Sequence, residues 1–478
     1  MEQLVGREHE KMLLDRAFKS PEAELVAIFG RRRVGKTFLV RSVYEGKMLF
    51  EFSGVHHASL AEQLLSFSLA LKNVAGDKTS DAKLTSWIEA FHLLARYLTP
   101  KLKNKRGVVF LDELPWLQTP KSGFLGAFEH FWNSWASRQP NLVVVICGSA
   151  ASWMIQKIVN NRGGLHNRIT QKIRLMPFDL NETEEYLKSL KVNIDRYQVL
   201  QLYMAMGGIP QYLKSVRTGE SATQAIDRIC FAKDGVLKDE FNNIFTSLFD
   251  NAEQHIAIIK ALSVTRKGLN RTEIILSCGL SSGGTATKLL EELVESGFIT
   301  PYIPFDRSVK ESIYKLSDEY SLFYLKFMQK SRFTGDGTWL KLSTGPSWSS
   351  WSGIAFEGIC QKHVQQIKKA LGIAGVLTTE SVWRYASKGE EQGTQIDLLI
   401  DRTDHCINIC EMKYTLSSFS IDKRYAAELK NKLAVFREKA KTNKALFLTM
   451  ITTYGIRQNI YYTGLVQNEI TMDALFDK

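Results

Sequence analysis

Residues 30–37 read GRRRVGKT, and they follow residues 24–29, ELVAIF, an apolar run typical of a buried strand. The pattern GxxxxGK followed by Ser or Thr, placed between a strand and a helix, is a phosphate-binding loop whose backbone N–H groups surround nucleotide phosphates. Lys36 would reach the β- and γ-phosphates, and the Thr37 hydroxyl would bind Mg²⁺. The alternative is an ordinary glycine-containing turn. The apolar spacing after Thr37 predicts a helix that begins at the phosphates, so we expect an ATP site with Mg²⁺.

A second apolar run, residues 108–111, ends in Asp112 and Glu113, as expected of a Walker B strand. Asp112 would hold Mg²⁺ through water, and Glu113 would polarise the attacking water. A strand that merely ends in acids is the alternative. Ser149 ends the next predicted strand, where it would sense the γ-phosphate or the water, unless it only ends the strand in a turn. The residues predicted to contact the nucleotide are Gly30, Arg31, Arg32, Arg33, Val34, Gly35, Lys36, Thr37 and Ser149.

Arg168 follows these strands in the sequence LHNR. It could supply positive charge to the γ-phosphate, either within one chain or from a neighbouring subunit. A solvated arginine is the alternative for this position.

The composition is that of a large globular protein with a basic surface. A length of 478 residues exceeds one ordinary core, and 44% hydrophobic residues suffice for several. No run of 18 apolar residues occurs, and the N-terminus lacks the pattern of a secretory signal, so we expect a cytoplasmic protein without a membrane span. The six cysteines form no CxxC pair, which favours reduced thiols over a zinc site. A net charge of +12 favours a polyanionic partner, first of all DNA or RNA.

The changes of pattern along the chain predict a multidomain α/β protein. Alternating strands and helices over residues 1–180 indicate a parallel, doubly wound sheet. Residues 181–251 are helical throughout, as in a small lid beside the nucleotide. Residues 252–330 show three helices and a hairpin, the order of a winged helix-turn-helix. Residues 331–352, rich in Gly, Ser, Thr and Trp, are predicted to be a linker that docks its tryptophans, and residues 353–478 to form a last α/β domain.

Several of these motifs together resemble the archaeal-type ATPase family, of the STAND and AAA+ group related to the Orc and Cdc6 initiators. They are VGREHE from residue 5, GRRRVGKT, FLDE from residue 110, CGSA from residue 147, the downstream Arg168 and GGIP from residue 207. The resemblance covers about residues 1 to 330, winged helix included. It implies ATP hydrolysis and a homo-oligomer formed through the ATPase domains. Members of this family often end in a domain that resembles the PD-(D/E)xK nucleases.

The last domain contains the short pattern of such a restriction-endonuclease-like fold. Asp397 precedes a turn at residues 401–404, and Glu411 and Lys413 follow as ExK. On paired strands Asp397 can converge with Glu411 and Lys413, which share one face because side chains alternate with a period of two. Asp397 and Glu411 would hold Mg²⁺, and Lys413 would position or deprotonate the nucleophile. Glu357, on the helix that opens the domain, matches the additional acid of the family.

A charged hairpin is the alternative explanation of this pattern. The proline of the family name is absent before Asp397, and Gln395 stands at a variable position, so both cutting and non-cutting versions of the domain remain open.

Two further segments bear on nucleic-acid binding. The predicted helix near residues 423–444 carries a basic stripe that would follow a phosphate backbone, or else forms a solvated face. The presumed recognition helix of the winged domain carries three glutamates against one lysine, so its later turns would repel phosphate. The stripe residues are Lys423, Arg424, Lys430, Lys432, Arg437, Lys439, Lys441 and Lys444.

The leading hypothesis is an ATP-dependent DNA-binding switch with a Mg²⁺-dependent nuclease-like effector domain, acting in defence against mobile DNA. The alternative is a non-cutting, nucleotide-gated regulatory ATPase whose last domain binds DNA or protein.

Overall fold

The computed structural model describes residues 3–76, 83–160, 163–249, 251–329, 331, 335–385 and 393–478. The chain forms two compact units. Unit 1 contains Met1–Pro177, Thr246–Asp250 and Glu291–Gly297, and unit 2 contains Phe178–Phe245, Asn251–Leu290 and Phe298–Lys478. None of the helices in the described ranges is long and apolar enough to cross a membrane.

Unit 1 is built on a five-stranded parallel sheet in the order β2-β3-β4-β1-β5. Strands β3 and β4 are buried along their whole length, which explains their uniform Val, Ile and Leu content. The strands are β1 (Glu24–Phe29), β2 (Met48–Ser53), β3 (Gly107–Asp112), β4 (Leu142–Gly148) and β5 (Gln171–Arg174). The helices are α1 (Glu8–Lys19), α2 (Lys36–Val43), α3 (Leu60–Ala75), α4 (Trp87–Lys101), α5 (Leu114–Leu117), α6 (Phe124–Ser134) and α7 (Ala151–Trp153).

An aromatic core packs helices α3, α4 and α6 together in unit 1. Trp87 lies edge-on to Phe67 and to Phe124, and Phe91 stacks on Phe131. Helix α3 begins at a capping box, in which Ser59 and Glu62 each accept from the backbone N–H of the other. Because the sheet is parallel, the carboxyl ends of β1, β3 and β4 meet at one edge, and the predicted nucleotide residues follow those ends.

Unit 2 begins with helical segments and a three-stranded antiparallel sheet in the order β6-β8-β7. The helices before it are α8 (Leu180–Ser189), α9 (Arg196–Met206), α10 (Pro210–Leu213), α11 (Ala222–Ile226) and α12 (Glu240–Leu248), whose last residues belong to unit 1. The elements around the sheet are α13 (Ala252–Ser263), β6 (Leu269–Asn270), α14 (Arg271–Cys278), α15 (Gly284–Glu295), β7 (Ile299–Tyr302), β8 (Ile313–Leu316) and α16 (Glu319–Phe323).

The rest of unit 2 forms a second five-stranded sheet in the order β13-β12-β11-β10-β9. Strands β9, β10 and β11 are antiparallel neighbours, whereas β11, β12 and β13 run parallel, and α18 packs against β11. The helices are α17 (Thr338–Leu342), α18 (Pro346–Lys362), α19 (Val364–Ala370) and α20 (Lys423–Ala440). The strands are β9 (Thr378–Tyr385), β10 (Thr394–Arg402), β11 (Cys406–Lys413), β12 (Ala445–Thr452) and β13 (Asn468–Thr471).

The structure differs from the predicted linker at residues 331–352, of which 332–334 lie outside the described residues. Helix α17 and the first turns of α18 occupy this segment. Trp339, Trp348 and Trp351 are buried and pack edge-on or tilted against Phe327. Burial of three indole rings outweighs the weak helix preference of the surrounding Gly and Ser residues, so the segment is part of the core.

Asp227 holds the start of α17 through two backbone hydrogen bonds. Its carboxylate accepts from the N–H of Gly337 at 2.7 Å and from the N–H of Trp339 at 2.6 Å, and Asp227 itself is buried. These N–H groups belong to a helix start, where no partner within the helix exists.

We expect Asp227→Ala to destabilise unit 2 by about 2–4 kcal/mol, because it leaves two N–H groups without their charged acceptor. Denaturant unfolding followed by tryptophan fluorescence measures the change. Asp234→Ala, at an exposed position nearby, is the matched control and should alter stability by less than about 0.5 kcal/mol. Equal unfolding midpoints for the two variants would contradict the capping role.

Candidate functional site

The phosphate-binding loop lies between β1 and α2, and backbone geometry explains its glycines. Gly35 has φ 92° at the start of α2, a left-handed value that glycine adopts without strain. Gly30 has φ 147°, and a Cβ there would collide with the carbonyl oxygen of Leu175. Leu175 in turn donates its N–H to the Phe29 carbonyl at 2.8 Å, so the loop begins against the chain that leaves β5.

Lys36 is folded into the loop and is only 5% exposed. Its ammonium donates to the carbonyl oxygens of Gly30 at 3.0 Å and Arg31 at 2.9 Å, and to the hydroxyl of Ser149 at 3.0 Å. All three acceptors are neutral. An arriving phosphate would offer charged oxygens, to which an ammonium donates more strongly.

Thr37 and Asp112 meet although they are far apart in sequence. The Thr37 hydroxyl donates to Asp112 Oδ2 at 2.6 Å, and Asp112 Oδ1 accepts from the N–H of Glu113 at 2.9 Å. Hydroxyl and carboxylate oxygens are the hard ligands that Mg²⁺ takes beside nucleotide phosphates. The chemistry of this pair therefore fits Mg²⁺.

Glu113 is tied to Ser149, and its backbone lies in the left-handed region with φ 46°. Its carboxylate accepts from the Ser149 hydroxyl at 2.6 Å and from the Ser149 N–H at 3.1 Å. Ser149 thus accepts from Lys36 and donates to Glu113, forming a chain of three side chains across the strand ends. Both carboxylate oxygens of Glu113 are therefore bonded to Ser149.

The arginines of the loop have distinct places. Arg31 is buried, Arg32 lies 5.8 Å from the centre of the Trp116 ring, and Arg33 has φ 71°. The Val34 carbonyl accepts from the guanidinium of Arg7 at 3.4 Å. Arg7 was not among the predicted site residues; its place in the family motif before α1 was the available signal.

Arg168 lies exposed on the segment before β5. Within the described part of the chain, its side chain makes no hydrogen bond or ion pair to the phosphate-binding loop. A role for Arg168 within its own chain therefore gains no support from this arrangement.

The second group of predicted site residues lies on β10 and β11 in unit 2. These strands pair antiparallel with Leu398 opposite Cys410, and the same register places Asp397 opposite Glu411. Asp397 also lies where the pairing of β10 with β9 shifts register, at an irregularity between Ile396 and Leu399. Such bulges redirect side chains, and they are frequent beside active sites.

Glu411 is surrounded by donors and cations. Its carboxylate lies 2.5 Å from the ammonium of Lys432 and 3.2 Å from that of Lys413, and it accepts from the Tyr425 hydroxyl at 2.7 Å. Burial would raise the pKa of Glu411, but the two ammonium groups outweigh it and hold this pKa below its usual range. Glu411 is therefore ionised and charge-balanced by its own domain.

Glu357 and Asp397 each lie beside a basic side chain from the segment that precedes the last domain. Glu357 lies 3.3 Å from the guanidinium of Arg266, and Asp397 lies 3.6 Å from the ammonium of Lys315. Burial, helped by the neighbouring Asp397 and Glu411 carboxylates, raises the pKa of Glu357 to about 7. The three carboxylates thus repel one another at this end of the sheet.

Asp397 has two further contacts around it. Its side chain accepts from Gln395 at 2.6 Å, and its backbone carbonyl accepts from Gln361 of α18 at 2.6 Å. Gln395, which we noted only as a departure from the family pattern, therefore orients the aspartate.

Among the described residues, no group of three or more His, Cys, Asp or Glu side chains is arranged as a metal centre. Asp397 and Glu411 remain a two-carboxylate donor set beside a third acid. Carboxylate oxygens are the kind of ligand that Mg²⁺ takes in proteins, so the donor chemistry of Asp397 and Glu411 fits Mg²⁺.

Sequence analysis missed the partners of these acids. Tyr425 and Lys432 are seven residues apart on α20, so helical periodicity places them on one face, and this signal was readable. Arg266 and Lys315 approach Glu357 and Asp397 only through tertiary packing, and their sequence offers no comparable signal.

The basic stripe on α20 is only partly available to a ligand. Lys432 binds Glu411, Lys444 binds Asp401, and Arg424 pairs with Glu428 at 3.1 Å. Lys441 and Lys444 lie beyond the end of α20. The helix is thus shorter than predicted, and two lysines of the stripe neutralise carboxylates of the sheet.

Known proteins resemble this chain over part of its length. An uncharacterized protein of Methanocaldococcus jannaschii is 22% identical over 368 residues, which are 76% of this chain and 78% of that protein. The Walker-type ATPase of Pyrococcus abyssi is similar in structure with a TM-score of 0.50 and 18% identity, over 67% of this chain and 96% of that one. The ORC2 protein of Aeropyrum pernix, solved in ADPNP and ADP complexes, gives a TM-score of 0.45 and 15% identity, over 68% of this chain and 93% of that one.

The family that matches is described as an ATPase domain predominantly from Archaea, and the match covers residues 4–216. The structural likeness to the P. abyssi protein shows a shared fold, in which a five-stranded parallel sheet carries the phosphate-binding loop. Residues 4–216 of this chain are therefore similar to an archaeal-type ATPase domain.

Proposed function

We propose that this protein is an ATP-dependent switch that binds nucleic acid and carries a Mg²⁺-dependent nuclease-like domain at residues 353–478. The observation that carries the proposal is the pairing of β10, which contains Asp397, with β11, where Glu411 and Lys413 lie 3.2 Å apart. Glu357 lies on α18, which packs against β11. ATP hydrolysis by the first domain would set the state of the second. A role in defence against mobile DNA in the cytoplasm follows from the same hypothesis.

The order of elements supports both assignments in unit 2. Residues 252–316 run helix, strand, helix, helix, strand, strand, which is the order of a winged helix. From α18 onward the order is helix, three antiparallel strands, helix α20 and the parallel strand β12, interrupted by the short helix α19. A mixed sheet of this kind is expected of a restriction-endonuclease-like fold.

For ATP hydrolysis, each residue at the strand ends has a role that follows from its contacts. Lys36 would exchange neutral oxygens for phosphate oxygens, and Thr37 with Asp112 would hold Mg²⁺. If Lys36 turned from the Ser149 hydroxyl to a phosphate, the hydrogen bonds from Ser149 to Glu113 would weaken. Glu113 could then orient the attacking water, so phosphate binding and the release of the catalytic acid would be linked. Arg168 would act from a neighbouring copy in a homo-oligomer.

For phosphodiester cleavage, Asp397 and Glu411 would hold Mg²⁺, which supplies Lewis-acid stabilisation of charge on the reacting phosphate. Lys413, 3.2 Å from Glu411, would position the attacking water or take its proton. Glu357 would accept or release a proton near neutral pH, as its raised pKa allows. Gln395 would keep the Asp397 carboxylate aligned.

One observation favours a non-cutting regulatory ATPase as the second candidate. Each of the three acids is already paired with a lysine or arginine, and the described residues form no three-ligand metal centre. In that case unit 2 would bind nucleic acid or protein without cleaving it.

The contacts of Lys36 and Glu113 predict two different defects in ATP turnover. Lys36→Ala should lower kcat/KM by at least about 100-fold, because the loop loses its only lysine that can reach the phosphates. Glu113→Gln should keep ATP affinity within about threefold and abolish turnover. Ser149→Ala removes the hydroxyl that links Lys36 to Glu113 and leaves only the backbone N–H bond to Glu113, so it should weaken the restraint on this carboxylate. Phosphate-release kinetics measure turnover, and nucleotide titration measures ATP affinity. Unchanged turnover in Glu113→Gln would mean that another base orients the attacking water.

Cleavage itself is tested with purified protein on plasmid and single-stranded substrates, with Mg²⁺ or Mn²⁺ and with ATP, ADP or a non-hydrolysable analogue. Asp397→Ala and Lys413→Ala should abolish cleavage and leave ATP hydrolysis within about twofold of the parent, since Asp397 and Lys413 lie outside the ATPase domain. Lys423→Ala, at an exposed site on α20, is the control and should cut normally. A parent protein that cuts no substrate under any of these conditions would establish the non-cutting alternative.

The raised pKa of Glu357 predicts that stability depends on pH. The folded protein keeps this carboxyl protonated up to about pH 7, whereas the usual value is 4.5. The stabilising contribution of the protonated group is thus complete below pH 4.5 and is lost as pH rises through about 7. In metal-free buffer, the stability advantage of Glu357→Gln over the parent should grow across this window by at most about 3 kcal/mol, near 1.4 kcal/mol per unit. Parallel thermal-stability curves for the two proteins would contradict the assignment.

A further inference from the structure

A cleft of about 810 Å³ lies within unit 2, between the β7–β8 hairpin and the edge of the C-terminal sheet. The segment between β7 and β8 contacts β9 directly, so the lining of the cleft is continuous. The N–H of Phe305 donates to the Val382 carbonyl at 2.8 Å, and the Phe305 ring lies edge-on to Phe436 at 5.4 Å. Pro304 forms a parallel bridge with Val382. These contacts make one surface from two segments that are about eighty residues apart in sequence.

Basic side chains dominate both walls of this cleft. Lys267 and Lys310 come from the hairpin side, and Arg384 comes from β9. All three are exposed, and in the described part of the structure none of them has an ion-pair partner. Their charges are therefore available to a ligand.

Two of the acids that line the cleft bind neighbours that also line it. Glu273 accepts from the N–H of Asn270 in a capping box. Glu311 pairs with Arg307 at 3.0 Å and accepts from the N–H of Ser308. Seven lysines and arginines line the cleft against four aspartates and glutamates, so its lining has a positive net charge.

The inner end of the cleft reaches the candidate nuclease centre. Asp397 and Gln395 line it together with Lys315, whose ammonium lies 3.6 Å from the Asp397 carboxylate. A phosphate bound by Lys315 would lie beside Asp397. Trp383 and Phe305 add aromatic surface to the same lining.

We propose that this cleft binds a single-stranded segment of nucleic acid and leads one of its phosphates to Asp397. Cationic grooves with aromatic side chains bind single strands through backbone charge and base stacking. The volume lies within the roughly 300–1,000 Å³ of ordinary ligand sites, which suits a few unpaired nucleotides better than the width of a duplex. The inference rests on the proposed function for its catalytic meaning, but binding in the cleft is separable from cutting.

The cleft is also a better candidate than the α20 stripe for the surface that binds a nucleic-acid strand. Lys432 and Lys444 of that stripe are committed to Glu411 and Asp401, whereas Lys439 lines the cleft. The surface that binds a strand is thus shifted from the outer face of α20 to the hairpin and β9.

The test uses the full-length protein and labelled oligothymidylate, with a duplex of equal length as comparison. Fluorescence anisotropy in EDTA measures binding without cleavage. The cleft variant is Lys267→Ala, Lys310→Ala and Arg384→Ala combined. The control removes the same kinds of charge from exposed positions on α20 through Lys423→Ala, Lys430→Ala and Arg437→Ala. Thermal unfolding and ATP turnover establish that both variants are folded.

The cleft variant should bind oligothymidylate at least about tenfold more weakly in roughly 0.1 M salt, and its salt slope should fall by up to about 2, near 0.7 per lost phosphate contact. The α20 control should bind like the parent.

The inference would be overturned if the α20 control lost as much affinity for oligothymidylate as the cleft variant, or more. It would also be overturned if the parent protein preferred the duplex or bound neither substrate. Normal binding in EDTA combined with no cleavage in Mg²⁺ would instead retain the cleft and refute the nuclease function.

Discussion

Buried carboxylate charge is the constraint on which the architecture of unit 2 depends. Removing a carboxylate from water is costly unless cations and hydrogen-bond donors replace the lost hydration. Lys432 and Tyr425 provide this for Glu411, and they thereby fix the orientation of α20 over β11. Arg266 and Lys315 lie against Glu357 and Asp397, although burial still raises the pKa of Glu357. Since these two cations precede the last domain in sequence, the candidate centre is completed by residues outside residues 353–478.

The ATPase centre follows the same physical rule with different groups. Lys36 is satisfied by two carbonyl oxygens and Ser149, and Ser149 satisfies Glu113. In both centres the reactive groups are therefore held by internal partners, and a ligand must replace those partners to engage them. Phosphate oxygens are suited to this exchange because they compete with neutral acceptors for Lys36 and with a carboxylate for Lys315. The functions proposed for the two sites thus share phosphate oxygens as the incoming partner.

Local sequence patterns predicted much of the fold but few of the ion pairs that balance its buried charges. The strands β1, β3 and β4 were readable because buried parallel strands are uniformly apolar, and the phosphate-binding loop has fixed spacing. The period of two placed Glu411 and Lys413 on one face. Glycine and serine content suggested a linker where buried tryptophans form helices, since packing outweighs propensity. Contacts of Arg266 and Lys315 depend on how distant segments pack, and no local period encodes them.

Net charge is a poor guide to where a polyanion binds. The chain has a charge of +12, and its most visible basic segment is α20, yet two lysines of that segment neutralise sheet carboxylates. What attracts a phosphate backbone is charge that remains uncompensated after the protein has balanced its own acids. Lys267, Lys310 and Arg384 meet that condition and surround one cleft, although they are scattered in sequence. This accessible positive surface is therefore a product of tertiary packing, and its lining includes Asp397.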